Sequence, residues 1–148
     1  MIEMPLIRRF KKEDLEEVQN IADISLKEVY DRNLFITIKE LWREGFLVYE
    51  INGDVTGFIC GVILDSKSVR VLMLAVHPIY RNRGIGSKLL ERFTEIALSI
   101  GANKIVLEVR TGSRKAIKFY QKRGFQIVNL LEDFYTDGED GYQMVRYL

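Results

Sequence analysis

A chain of 148 residues is the size of one domain, large enough to bury about 70% of the surface that its unfolded form exposes. Its 47% hydrophobic and 29% charged residues are the composition of a globular protein, not of a disordered or fibrous one. A net charge of +1 supplies no global attraction for nucleic acid, so any anion site must be local, and a single cysteine excludes an internal disulfide framework and a multi-cysteine zinc site.

The N-terminal stretch "MIEMPLIRRF" has no apolar core of signal-peptide length, and no later run is long enough to span a membrane. The cytoplasm is therefore the expected location, with neither a membrane nor a nucleic acid as partner. "PLIRRF" reads as a first strand. In "KKEDLEEVQNIADISLKEVY" the residues Leu15, Val18, Ile21, Ala22, Leu26 and Val29 recur at helical spacing, which predicts one amphipathic helix reaching Tyr30. "LFITIKELWREG" predicts a second, short helix stopped at Gly45. "FLVYEI" and "VTGFICGVIL" flank "NGD", and Asn-Gly between apolar runs signals a hairpin. Cys60, inside the second run, reads as a buried structural thiol.

The third strand turns through "DSKS" into a fourth, Val69 to Val76, which ends at "HP". From Ser87 onward, Leu89, Leu90, Phe93, Ile96, Ala97 and Ile100 form a continuous helical stripe closed by Gly101. "KIVLEV" is a fifth strand, and "RKAIKFYQKR" a fourth helix with cations in its last turn. "FQIVNLL" and "YQMVRYL" are final strands separated by the loop "TDGEDG". The order β α α β β β α β α β β predicts an α/β (α+β) fold in a single domain, 1–148. Its sheet should be mixed and mostly antiparallel, of about seven strands, with a right-handed parallel crossover between the fourth and fifth. Ligands of such sheets bind off the carboxyl ends of the strands, where "RNRGIG" falls.

A helix N-terminus offers unpaired backbone N–H groups and partial positive charge, which suit phosphate. Gly84 and Gly86 remove Cβ atoms that would keep a ligand from those amides, and Arg81 and Arg83 add charge. The loop is built for a pyrophosphate. It is not a dinucleotide fingerprint, which needs a third glycine where Leu89 stands, nor a P-loop, which needs a Gly-Lys-Ser/Thr run.

The stretch "VHPIYRNRGIGSKLL" resembles motif A of the GNAT superfamily, acetyl-CoA-dependent N-acetyltransferases whose signature is Gln/Arg-x-x-Gly-x-Gly/Ala; Arg81, Gly84 and Gly86 fill the defined places. The resemblance implies acetyl-CoA as co-substrate, without a metal, held by residues 81–88: Arg81, Asn82, Arg83, Gly84, Ile85, Gly86, Ser87 and Lys88. It also implies that the fourth strand splays from the fifth and that Leu74, Ala75 and Val76 pair with the pantetheine amides, a strand addition by a ligand.

"LEVRTGSRKAIKFYQKRGF" resembles the pattern L-E-V-R-x-S-N-x-x-A-x-x-x-Y-x-x-x-G-F of the bacterial ribosomal-protein alanine N-acetyltransferases and their archaeal and eukaryotic N-terminal relatives. Leu107, Glu108, Val109, Arg110, Ala116, Tyr120, Gly124 and Phe125 match. The family's Ser-Asn pair is Gly112-Ser113 here, so Ser113 stands where an asparagine touches the cofactor; it also stands where it would cap the next helix. In this family Tyr120 holds the general-acid place, protonating the departing thiolate. Glu108 holds that of the proposed base; a salt bridge to Arg110 or Lys104 is its structural alternative.

The tail "DFYTDGEDGYQMVRYL" resembles the closing Y-Y-x-D/N-G-E-D-A-Y-x-M segment of the N-terminal acetyltransferases, with Phe134 and Gly141 as departures. "SLKEVY" resembles their L-P-E-N-Y groove loop through Leu26, Glu28 and Tyr30. Glu28 is thus a second candidate base, against the reading of a solvated helix glutamate, and Tyr30 and Tyr135 are candidate substrate walls. An α-amine, with a pKa near ~8, needs less help to deprotonate than a lysine near ~10.4. The resemblance implies an N-alpha-acetyltransferase of protein N-termini, ribosomal proteins among them. A lysine or small-amine acetyltransferase and a non-catalytic CoA-binding module are the alternatives, and the oligomeric state is open. His77, the only histidine, reads as a structural loop residue, and "DGED" as a turn lacking calcium-loop spacing.

Overall fold

Two hydrophobic cores, one on each face of a seven-stranded sheet, organise the protein. The computed structural model describes residues 3–148. The strands are β1 (Pro5–Arg9), β2 (Leu47–Ile51), β3 (Asp54–Ile63), β4 (Ser68–Val76), β5 (Lys104–Arg110), β6 (Gln126–Leu131) and β7 (Gly141–Tyr147), in the spatial order β1-β2-β3-β4-β5-β7-β6. Every neighbouring pair is antiparallel except β4 with β5. Helices α1 (Leu15–Ser25) and α2 (Arg32–Leu41) cover one face, and α3 (Ile85–Ser99) and α4 (Arg114–Gln121) the other. Among the described residues no helix is long and apolar enough to cross a membrane.

The period-2 alternation of strands divides the side chains between the cores. On β5, Ile105, Leu107 and Val109 join Leu89, Leu90, Phe93 and Ala97 of α3. On β3, Phe58 and Cys60 meet Val18, Ile21 and Ala22 of α1 and Phe35 of α2. Burial pushes the Cys60 thiol far up, as expected of a structural cysteine. The β2–β3 hairpin turns on Asn52 and Gly53, both left-handed, as a tight Asn-Gly turn requires.

The β4 strand does not keep one alternation. Its pairing with β3 slips so that Leu72 is an extra residue between Val71 and Met73. Val69 and Val71 therefore face α3, whereas Met73 and Ala75 face α1 and α2, and Leu74 and Val76 turn back toward α3. At the same level β4 leaves β5: the parallel ladder has three positions, Ser68 with Lys104, Val69 with Ile105 and Arg70 with Val106, and ends there. Bulge and parting together open a cleft in the middle of the sheet.

Opposite the bulge sits Gly61. A Cβ there would collide with the Arg70 carbonyl oxygen and lie 2.7 Å from the Phe93 ring. Gly61→Ala should destabilise the fold by about 3 kcal/mol, since neither backbone nor a packed ring yields cheaply, and urea unfolding will read this as a lower midpoint at unchanged slope.

The first helix is shorter than its apolar spacing predicts. It ends at Ser25; Leu26 is extended, and Val29 is 92% exposed, off the stripe that periodicity assigned to it. The chain leaves the helix because Glu28 is bound by Arg110 and Thr136, and Asp31 starts a new helix by accepting a bond from the Asn33 amide. The second helix also ends earlier than expected, at Leu41. Gly45 closes a separate short 3-10 turn, where a side chain would strike the Trp42 ring. Ile100, read as the last residue of the α3 stripe, lies past the helix end and is exposed.

Candidate active site

The cleft between β4 and the start of α3 and α4 has a volume of about 800 Å³. Leu74, Ala75 and Val76 form one wall, Arg81, Asn82, Gly84, Ile85, Gly86 and Ser87 the mouth, and Ser113 and Tyr120 the side toward α4. Arg83 and Lys88 lie outside the wall. Arg83 turns instead to Glu3 at 3.0 Å and over the Tyr80 ring.

Gly84 caps α3 in the left-handed conformation, φ 80°, and its carbonyl takes the first helical bond from the Lys88 amide. The amides of Ile85, Gly86 and Ser87 are thereby left at the mouth without helical acceptors. A Cβ at Gly84 would meet nothing within 4 Å, so the glycine serves the φ angle and an open approach, not protein packing. These residues fit a pyrophosphate. Arg81 acts differently from a free cation: its guanidinium donates to the Val76 carbonyl at 3.0 Å and to Ser25 Oγ at 3.1 Å, tying the loop to the end of β4 and to α1. A cation at the mouth comes from Arg123, which the sequence reading missed; it donates to Ser87 Oγ at 3.2 Å and lies over the Phe119 ring at 3.8 Å. Arg114 and Lys115 are in the wall as well.

Ser113 occupies the N-cap position of α4 but makes no side-chain capping bond; its carbonyl accepts from the Ile117 amide and its own amide donates to the Arg110 carbonyl. The expected cap is therefore absent, and the residue lines the cleft. Tyr120 packs edge-on against Phe119 and Phe125, with ring centroids 5.2 and 5.4 Å away. Burial, with a smaller contribution from nearby Tyr135, pushes its hydroxyl far above the usual tyrosine range, so it holds its proton.

On the other side of the sheet, Arg110 gathers three carboxylates. It donates to Glu28 at 2.8 Å, to Asp137 at 2.9 and 3.1 Å and to Glu139 at 2.8 Å, and its guanidinium stacks 4.1 Å from the centre of the Tyr135 ring. Thr136 Oγ1 donates to both Glu28 oxygens, and the Gly112 amide donates to Glu139. One guanidinium thus joins the end of β5, the α1–α2 segment and the β6–β7 loop. Glu28 is accordingly not a solvated helix residue. The acidic loop turns out to be an arginine clamp, and among the described residues no cluster of His, Cys, Asp or Glu forms a metal site. The clamp holds Tyr30 and Tyr135 near each other. Burial raises both hydroxyls: Tyr135 to about 12 against the pull of Arg110, and Tyr30 with the help of Glu28.

Glu108 shares the β5 face of Val106 and Arg110, away from α3. It bonds neither Arg110 nor Lys104, its expected structural partners; the cation beside it is Arg70, 3.4 Å from Nε to Oε1. Glu108 Oε2 is buried without a hydrogen-bond partner among the described residues. Burial raises its carboxyl, and the Arg70 charge lowers it part of the way back. His77 is structural: its Nδ1 accepts from the Ile79 amide as it caps the turn Pro78–Tyr80.

An anionic carrier seated on the α3 amides would lead its acyl end between the parted strands to a protonated tyrosine, with a carboxylate across the sheet for an incoming amine. The class defined by such an arrangement is an acyltransferase. The chain belongs to the acetyltransferase (GNAT) family, which matches residues 14–125. It is 34% identical over 142 residues to an uncharacterized N-acetyltransferase of Methanocaldococcus jannaschii, covering 95% of this chain and 90% of that one. To an N-alpha-acetyltransferase of Sulfurisphaera tokodaii it is 32% identical, covering 93% and 90%. The crystal structure of Ard1 from Thermoplasma volcanium superposes with a TM-score of 0.95 at 37% identity, covering 97% of both chains.

Proposed function

We propose that the protein transfers the acetyl group of acetyl-CoA to the N-terminal α-amine of protein chains. The observation that carries this reading is the Glu108 carboxylate, whose Oε2 is buried without a hydrogen-bond partner among the described residues and which lies near Tyr135, itself beside Tyr30. A single carboxylate of raised pKa suits an amine that is already close to neutral, as an α-amine is, and flat tyrosine walls accept a peptide backbone without demanding one side chain. The likeness to an N-alpha-acetyltransferase points the same way.

In this reading the pyrophosphate rests on the amides of Ile85, Gly86 and Ser87 with Arg123 beside it, and the pantetheine arm extends along Leu74 to Val76. Glu108 Oε2 takes the proton of the attacking amine through water. The amine nitrogen bonds to the thioester carbonyl carbon, the carbon–sulfur bond breaks, and Tyr120 gives its proton to the departing thiolate. Glu28, both oxygens engaged, holds the groove wall and leaves the base role to Glu108.

The test is transfer of labelled acetyl from acetyl-CoA to short peptides beginning with Ser, Ala, Met or Glu, each beside an N-blocked copy with an internal lysine. Label on the free-amine peptides alone is the expected result. Label on the blocked copies would make the protein a lysine acetyltransferase, and donor binding without either product would point to a small-amine acceptor or a silent binding module.

A further inference from the structure

The Arg70–Glu108 pair differs from every other close ion pair of the sheet. Arg8 grips Asp14 with both terminal nitrogens, at 2.7 and 2.9 Å, and so occupies both carboxylate oxygens. Arg70 instead lies alongside Glu108 at 3.4 Å without a hydrogen bond; its own Nε and the far oxygen of Glu108 are both buried and unpartnered among the described residues. Arg70 is the last residue of the parallel ladder before β4 and β5 part, opposite Val106 and on the face that carries Glu108. We propose that Arg70 is a positioning residue for acetyl transfer: it fixes the orientation and charge state of the Glu108 carboxylate while leaving one oxygen open to the reacting proton.

The proposal rests on Glu108 as the base. A bidentate arginine would stabilise the carboxylate so strongly that it became a poor proton acceptor, and with no arginine burial would keep the carboxyl protonated to higher pH. A sideways guanidinium, one-third exposed and partly screened by solvent, does neither. The other groups facing Glu108 supply no competing charge. Arg110, two residues along the strand, is committed to its three carboxylates. Gln143 stands opposite on β7, and Tyr135 contributes a neutral hydroxyl from the β6–β7 loop.

The experiment follows the Glu108 carboxyl by NMR of carbon-13-labelled glutamate, assigned with Glu108→Gln, in the full chain with CoA. In parallel, kcat at saturating peptide is measured over roughly pH 5 to 9 for wild type, Arg70→Met and Arg70→Lys. Arg70→Met should move the Glu108 titration upward by about one pH unit and lower kcat about tenfold at the acid end, the curves converging once the carboxylate is fully ionised. Arg70→Lys, which keeps the charge, should retain most of the wild-type profile. An unmoved titration, or an equal loss at every pH, would overturn the proposal even with Glu108→Gln inactive. Wild-type turnover by Glu108→Gln would overturn the base assignment itself. Arg70 reaches solvent at its far end, and thermal unfolding of both variants identifies any loss due to folding.

Discussion

Replacing Tyr120 by phenylalanine is expected to lower kcat roughly 10²- to 10⁴-fold while leaving donor binding and folding almost unchanged. The ring is held by Phe119 and Phe125, and phenylalanine preserves both edge-on contacts, so the melting temperature should move little. What the substitution removes is the hydroxyl that the proposed mechanism uses to protonate the departing thiolate. The hydroxyl is raised well above the ordinary tyrosine value of ~10, so the wild-type rate should not fall on the alkaline side until well above that pH. Steady-state kinetics with a peptide acceptor, together with CoA titration by calorimetry, check this. A higher peptide KM at unchanged kcat would make Tyr120 a wall residue instead.

Replacing Arg110 by methionine should act mainly on the acceptor. The change leaves Glu28, Asp137 and Glu139 facing one another without their common cation, and it frees the two segments that carry Tyr30 and Tyr135. Misplacing such walls should raise the peptide KM by roughly 10- to 100-fold, with kcat affected less and CoA affinity hardly at all. Lysine should rescue little, because a point charge cannot reach three carboxylates as a planar fork does. The pH dependence has a definite sign. The Arg110 hydrogen bonds hold the Glu139 carboxyl below its ordinary range, and the Glu139 amide together with Arg110 does the same for Asp137. A depressed carboxylate stabilises the fold above its unfolded pKa, near ~4, and that contribution is lost as pH falls through the lower folded value. Limited proteolysis within 132–140 should therefore increase below that range in wild type, and already at neutral pH in Arg110→Met.

The glycine-lined mouth of the cleft could be read from sequence because its logic is local. Gly84, Gly86 and the α3 stripe lie within one continuous stretch, and the rules for helix starts and apolar periodicity act over a few residues. Tyr120 and Glu108 could be picked out by motif, although the neighbours of Glu108 could not. The clamp was not legible at all. Glu28, Arg110, Asp137 and Glu139 are far apart in the chain, and no rule of spacing joins one arginine to three carboxylates on two other segments. The overlong first helix has the same origin, since tertiary bonds to Glu28 outweigh a regular apolar pattern. The β4 strand hides a subtler break: Leu72 bulges out, so Val69 and Val71 join one core while Met73 and Ala75 join the opposite one, and nothing in the local sequence marks the slip.

The parting of β4 and β5 also bears on the stability of the fold. The ladder between them stops after three positions, so the middle of the sheet is a seam that the chain does not close by itself. With the proposed donor in place the seam is bridged, and a ligand at a hundred times its Kd adds about 2.7 kcal/mol to folding. Saturating donor should therefore raise the melting temperature of the chain, by holding together two strands that the ladder leaves apart.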